Sequence, residues 1–413
     1  MLIPADLVAQ RRYLKGARQT HSNTSLGIGP AILRGLRDLG FRDTAAAVCA
    51  LVDNAIDAHA LTIDVLIDTT AGQVTSIAVI DHGIGMVPEM IRAACAVGAS
   101  CRLGDGPHLA RSGFGLPAAP FAVGSRFDIF SKPAGAPLAC ATVDLAALTD
   151  DAAEIPGDAA ASLPTFVGRH LARLTPKWSQ GTIIVLSDLD RVAPRAPLAL
   201  RQALRERLGY VFQARMGRVG LMVDGVPVQP ADPLFLTPGG VGFDADGERA
   251  TVGPEYRVAL DDGVMTLRTA ILPPAFTALD KSRAGVGRNA NSREALVRES
   301  QGLIVSRLGR RLDVLPDTAL ITFGAADRAL KAELDFTPEL DDEFAPALSL
   351  QQVQVTGRVW SALRATGVDR EFERLRRHIR QQRQLRRVTP PSEPYVRRQT
   401  GGAIAAQKEV HHG

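Results

Sequence analysis

Residues 45–60, AAAVCALVDNAIDAHA, and residues 74–86, VTSIAVIDHGIGM, decide how this chain is read. In the first segment Val48, Leu51, Val52, Ala55 and Ile56 recur at three- and four-residue steps, the apolar stripe of an amphipathic helix. Asn54 and Asp57 lie three residues apart and share a face beside that stripe. An Asn side-chain oxygen there can ligate Mg²⁺, a cation that takes oxygen ligands and accompanies phosphates. The second segment reads as a buried strand over Ile77, Val79 and Ile80. It delivers Asp81 into the turn Asp81-His82-Gly83-Ile84-Gly85-Met86. A carboxylate at a strand end accepts a hydrogen bond well, and adenine offers an amine donor. Gly83 and Gly85 let the backbone come close to a flat base. Taken singly, the helix is also what a solvated amphipathic helix looks like, and Asp-x-Gly-x-Gly is also an ordinary turn.

A third element follows in order. Gly98-Ala99-Ser100 leads through Gly104 and Gly106 to RSGFGLPAA at 111–119. Small, flexible residues before a helix start suit a phosphate-cradling lid, because backbone N–H groups at a helix start bind anions without a lysine. Gly98, Ser100, Gly113, Phe114, Gly115 and Leu116 are the candidates on the phosphate side.

The N-A-x-D-A helix, the D-x-G-x-G-M turn and the G-x-G-L lid together resemble the GHKL superfamily, the ATP-binding domains of gyrase, heat-shock chaperones, histidine kinases and MutL. Gln180-Gly181-Thr182 is similar to that superfamily's fourth element, where a Thr supports the adenine-binding Asp. GASCRLGD, RSGFGLPAA and QGLIVSRLGRR look closest to MORC-like proteins, and the resemblance spans roughly residues 20 to 315 as a pattern. It implies ATP and Mg²⁺ as cofactors. Asn54 would ligate Mg²⁺ and Asp81 would bind adenine. Gly83, Gly85 and Met86 would line the base pocket, and Gly113, Gly115 and Leu116 would approach the phosphates. Asp57 and Thr182 complete the candidate set. The implied fold is α/β: a Bergerat-type two-layer ATP-binding domain, then a ribosomal-protein-like second α/β domain, then a basic helical end.

One position departs from the pattern. Hydrolytic members place a Glu four residues before the Asn, where it polarises the attacking water; here that position is Ala50. A methyl group cannot take a proton, and general-base help is typically worth on the order of 10²–10⁴ in rate. Asp53 points about 100° away around the helix, and Asp57 lies on the other side of the metal ligand. The expectation is ATP binding with weak hydrolysis or none. An active MORC-like ATPase and a protein kinase of the same superfamily are the alternatives. No kinase-type dimerisation helix surrounds any of the eight histidines.

The chain has 413 residues, 46% of them apolar and 22% charged, enough for two domains with substantial cores. Its formal charge of +4 is too small to argue for nucleic-acid binding by the whole chain. Cys49, Cys95, Cys101 and Cys140 form no ligand pair and read as free thiols of a reducing compartment. No apolar run is long enough to span a membrane, so a cytoplasmic protein without membrane contact is expected.

The expected layout has an N-terminal segment to residue 25, an ATP-binding domain over 26–195 and a second domain over 196–350. A basic helical region over 351–388 and a disordered tail over 389–413 follow. The first sheet is expected to carry helices on one face, with residues 145–165 as a surface insertion. Residues 198–215 read as a helix bridging to the second domain, whose strands begin at 219. Residues 278–300 read as a polar, Arg-rich loop, and 334–344 as an acidic stretch. Lys281 and Lys331, the lysines near the region where the superfamily reaches back to the γ-phosphate, read as solvated surface lysines. Arg370, Arg374, Arg377 and Arg380 recur at helical steps, joined by Arg376, Arg383, Arg386 and Arg387. Such a stripe can neutralise phosphates, making nucleic acid a candidate partner. The resemblance also implies an ATP-gated homodimer.

Overall fold

The computed structural model describes residues 40–95, 108–110, 113–147, 157–158, 162–243, 248–277 and 293–388, with Gly35, Arg37 and Asp38. In chain order the elements are α1 (Thr44–Asp57), β1 (Thr62–Thr70), β2 (Gln73–Asp81), α2 (Pro88–Cys95), α3 (Gly115–Phe121), β3 (Arg126–Lys132), β4 (Ala139–Asp144), β5 (Gly157–Asp158), α4 (Thr165–Arg173), β6 (Gly181–Ser187), α5 (Pro197–Val211), β7 (Gly220–Val223) and β8 (Val226–Pro227). There follow β9 (Thr251–Leu260), β10 (Gly263–Ile271), α6 (Pro274–Thr277), α7 (Glu294–Glu299), β11 (Leu303–Arg307), β12 (Arg310–Leu315), β13 (Leu330–Phe336), α8 (Asp341–Phe344), α9 (Gly357–Ala365) and α10 (Val368–Val388).

The architecture is mixed α/β, with two sheets and helices packed against them. The first sheet runs β5-β4-β3-β6-β2-β1-β7-β8. α1 starts cleanly because the Asp43 carboxylate accepts a hydrogen bond from the Ala46 amide at 2.7 Å. Its Ala- and Val-rich sequence suits burial on nearly every side: all of it except Asn54 and Ile56 is buried. It packs on the sheet beside α3 and α5. Val48, Leu51 and Val52 meet Phe121, Phe127, Leu200, Leu204 and Leu208 in one core. Truncating any one of those buried leucines to Ala would cost on the order of 2–5 kcal/mol.

The opposite face of this sheet is also covered. α4 lays Val167 and its neighbours Phe166 and Leu171 over Leu66, Ile80, Phe130 and Ile183. His170 of α4 sits 3.2 Å from the buried Asp64 of β1. The expectation of helices on one face is therefore incomplete. The insertion expected over 145–165 lies mostly outside the described residues, but it ends in this helix. The sequence hid α4 because its apolar positions follow an Ala- and Asp-rich stretch with two prolines.

α5, expected as a bridge, belongs to the first core, and β7 pairs in parallel with β1 at Thr62–Gly220 through Val65–Val223. These strands, read from the sequence as the head of the second domain, extend the first sheet. The second sheet runs β12-β11-β13-β10-β9, with β11 parallel to β13 and the other pairs antiparallel. α8, α9 and α10 cover it. Met265, Leu267, Val305 and Leu334 pack with Val359, Leu363, Phe372, Leu375 and Ile379, and Phe336 stacks on Phe344 with ring centroids 3.9 Å apart. Tyr210 of α5 packs against both cores. The acidic stretch at 334–344 is no free surface: it finishes β13, and its Asp341 pairs with Arg307.

Candidate functional site

The site is built where β2 ends beside the C-terminal half of α1. β2 is buried along its second half, and Asp81 arrives at its end only 5% exposed. Its Oδ1 accepts from the Gly83 amide at 2.7 Å and from the Thr182 amide at 3.1 Å. Trp178 Nε1 donates to the Asp81 carbonyl at 2.8 Å. The carboxylate is thus fixed in orientation by backbone donors before any ligand arrives.

Two glycines make this possible. Gly181 has φ +126°, and a Cβ there would lie 2.1 Å from the Asp81 carbonyl oxygen. Gly85 has φ +70°, and a Cβ there would lie 2.2 Å from the Lys132 carbonyl oxygen. No L side chain fits either place. The turn is pinned further by Ser131, a fully buried residue of β3. The Met86 amide donates to Ser131 Oγ at 2.9 Å; that hydroxyl donates to the Gly181 carbonyl at 3.0 Å and lies 2.9 Å from Thr182 Oγ1. Asp81, Gly83, Gly85, Met86 and Thr182 are therefore one assembly, drawn from the ends of β2 and β6 and the turn after β2, and pinned by Ser131 of β3. Met86 and Leu116 are partly buried against the first core.

Asn54 and Ala50 supply the other wall. Asn54 Nδ2 is buried and has no hydrogen-bond partner. A buried unpaired amide costs roughly 1–3 kcal/mol. Rotating the amide about its last bond presents the oxygen instead, the atom that Mg²⁺ takes. Among the described residues no group of three or more His, Cys, Asp or Glu could hold a metal on protein ligands alone. Ala50 faces the start of α3: a Cβ on Gly115 would sit 3.8 Å from the Ala50 methyl. Gly113, Phe114, Gly115 and Leu116 are all half-buried at that helix start. Gly98 and Ser100 lie outside the described residues.

Asp57 is engaged by backbone amides. Its two carboxylate oxygens accept from the Leu109 and Ala110 amides at 2.9 and 2.7 Å, and His108 Nδ1 lies 3.9 Å away. It ties segment 108–110 to the helix. Asp53 is fully buried and accepts from Arg310 Nε at 2.8 and 2.9 Å. Burial pushes its carboxyl up and the Arg310 guanidinium opposes that.

Residues 43–165 match the model of histidine kinase-, DNA gyrase B- and HSP90-like ATPases. The match contains Asn54, Asp57, Asp81 and the lid, and supports ATP binding as the general capacity of this domain. No curated protein gives a significant match.

Sequence reasoning did not find Ser131, Trp178, Arg307 or Arg310. Ser131 sits in a plain strand pattern with no signal. Trp178 stands three residues before Gly181, and a lone Trp beside a glycine turn was a usable hint. Lys331, read as solvated, is fully buried: Nζ donates to the Val297 and Ser300 carbonyls at 2.7 and 3.0 Å and to Ser300 Oγ at 2.9 Å. It cannot reach a phosphate. Burial, with Arg328 nearby, pushes its ammonium down to about 7. Lys281 lies outside the described residues. Cys49 and Cys95 are buried free thiols and Cys140 a half-buried one; Cys101 lies outside the described residues. Among the described residues no helix is long and apolar enough to cross a membrane.

Proposed function

We propose that this protein binds ATP with Mg²⁺ between α1 and the β2 turn and closes the lid segment over the phosphates, hydrolysing ATP slowly or not at all. The observation that carries the reading is Asp81, a buried strand-end carboxylate held by the Gly83 and Thr182 amides. Held this way, it can accept the amine of adenine without reorganising. Asn54 would hold Mg²⁺ through its side-chain oxygen, and the cation would supply charge neutralisation at the phosphates.

Weak hydrolysis follows from how the carboxylates of α1 are used. Ala50 offers no base. Asp53 is occupied by Arg310 and Asp57 by the lid amides. Neither can take a proton from water without breaking a structural contact. An active MORC-like enzyme would need its base from elsewhere.

Two partner readings accompany this one. Lid closure would favour a homodimer only through contacts made in the closed state. A nucleic-acid contact belongs on α10, where Arg370, Arg377 and Arg380 face outward. Part of that arginine stripe is paired within the chain, Arg374 with Glu371 on the helix surface and Arg376 with Asp327.

Calorimetric titration with a non-hydrolysable ATP analogue, with and without Mg²⁺, tests the binding reading. Saturable binding strengthened by Mg²⁺ is expected; no binding in either condition would reject it. Sedimentation of the same samples tests the dimer, which predicts a doubled mass with analogue and Mg²⁺ only.

A further inference from the structure

The hairpin β11–β12 carries three arginines, Arg307, Arg310 and Arg311, all no more than 4% exposed. A β-hairpin with three buried guanidinium groups is expensive unless each has a dedicated partner, because an unpaired buried charge costs several kcal/mol. Arg311 stays largely within the second sheet and its border with α5. It donates from Nε to Glu333 at 3.0 Å and from its terminal nitrogens to the Tyr210 carbonyl and Gln213. Burial raises the Glu333 carboxyl, but Arg311, Arg268 and the Ser306 hydroxyl together hold it below the usual range.

The other two reach the nucleotide site. Arg307 is clamped by Asp341, with Nε to Oδ1 at 2.6 Å and a terminal nitrogen to Oδ2 at 2.8 Å. Its remaining terminal nitrogen donates to the His108 carbonyl at 2.5 Å. The next two amides along, Leu109 and Ala110, are those bound by Asp57 of α1. Segment 108–110 is thus held from one side by the second sheet and from the other by α1. Arg310 grips α1 directly, at Asp53, the neighbour of Asn54. It also donates to the Leu350 carbonyl at 2.7 Å.

We propose that Arg307 and Arg310 make this hairpin the positioning element of the nucleotide site, Arg307 fixing the lid base against Asp57 and Arg310 fixing the helix that presents Asn54. The inference deepens the ATP-binding reading and rests on it. Arg307 is a positioning residue: its donors are taken by Asp341 and the lid backbone, so it acts on the phosphates through the lid. At the proposed adenine end the hydrogen bonds described for Asp81, Thr182 and Ser131 run to Gly83, Met86, Trp178 and Gly181 and among themselves, not to the hairpin, so the arrangement separates two parts of nucleotide affinity. The phosphate-dependent part answers to the hairpin and the base-dependent part does not.

The experiment measures two quantities in the full-length protein and in R307M and D341N. The first is the ratio of affinities for AMP-PNP with Mg²⁺ and for AMP. The second is hydrogen exchange at the Leu109 and Ala110 amides without nucleotide. The expected result is at least a tenfold fall in that ratio, with AMP affinity within twofold of the parent, and at least tenfold faster exchange at both amides. Asp341 is partly exposed, so D341N keeps the test alive if R307M fails to fold. Equal weakening of both nucleotides, or unchanged exchange in a folded variant, overturns the proposal. A parent protein that binds neither nucleotide defeats the ATP reading instead, and the exchange arm still decides whether the hairpin holds the lid.

Discussion

On one face of α1, Asp53 is fully buried and takes both its hydrogen bonds from Arg310. On the adjacent face, Asn54 leaves its amide nitrogen buried without a partner. The two residues are neighbours in sequence, and both carry polar groups out of water. The first face belongs to a seam that folding completes by itself, with Arg307 on Asp341 and Arg310 on Asp53. The second faces the proposed nucleotide cleft. Buried polar groups are normally satisfied, and the proposed nucleotide site takes the unsatisfied amide of Asn54 together with the prearranged carboxylate of Asp81.

Placing a carboxylate on the cleft face breaks this division most sharply. Ala50 lies opposite Gly115 with room limited by the start of α3. Ala50→Glu is expected to raise ATP turnover on the order of 10²–10⁴-fold if only the base is missing. Phosphate release under saturating ATP checks it, and an unchanged rate would mean that more than the base is absent.

On the seam, Arg310→Met strands Asp53 as an uncompensated buried charge. A loss of roughly 3–5 kcal/mol in unfolding free energy is expected, and the double variant with Asp53→Leu should recover most of it. Urea denaturation of the single and double variants measures both. Equal stability of the single variant and the parent would show that the pair does not hold α1.

Lys331 sharpens the comparison from inside the second sheet's core. Its ammonium titrates near 7 in the folded protein and near 10.5 when unfolded. Between those values the unfolded chain holds a proton that the folded one lacks, so stability rises with pH. The slope from this group is at most about 1.4 kcal/mol per pH unit. Unfolding free energies from pH 7 to 10 should show that rise in the parent and lose this part of it in Lys331→Met. Identical slopes would contradict the assignment.

How much of this was legible in the sequence follows the same division. The α1 stripe, the β2 strand and the glycine turn were legible because periodicity and glycine spacing are local signals, and Asp81 and Thr182 do meet. The hairpin 303–315 was legible as strands around Leu308-Gly309. Its arginines were not legible as a seam, since Arg310 and Asp53 are 257 residues apart. Nothing local distinguishes an Arg bound for a buried partner from one facing water. Lys331 was misread for the same reason: only the tertiary structure sets Val297 and Ser300 around it. β7 was placed in the wrong sheet because a strand's pattern does not name its neighbour.

The account stands on Asp81 as the acceptor for adenine, and ATP and GTP affinities in the parent and in Asp81→Asn test that directly. The parent should prefer ATP. In the variant ATP affinity should fall by about 1.5–3 kcal/mol, on the order of ten- to hundredfold, as expected for a hydrogen bond to a charged group. Unchanged ATP affinity in folded Asp81→Asn would contradict it.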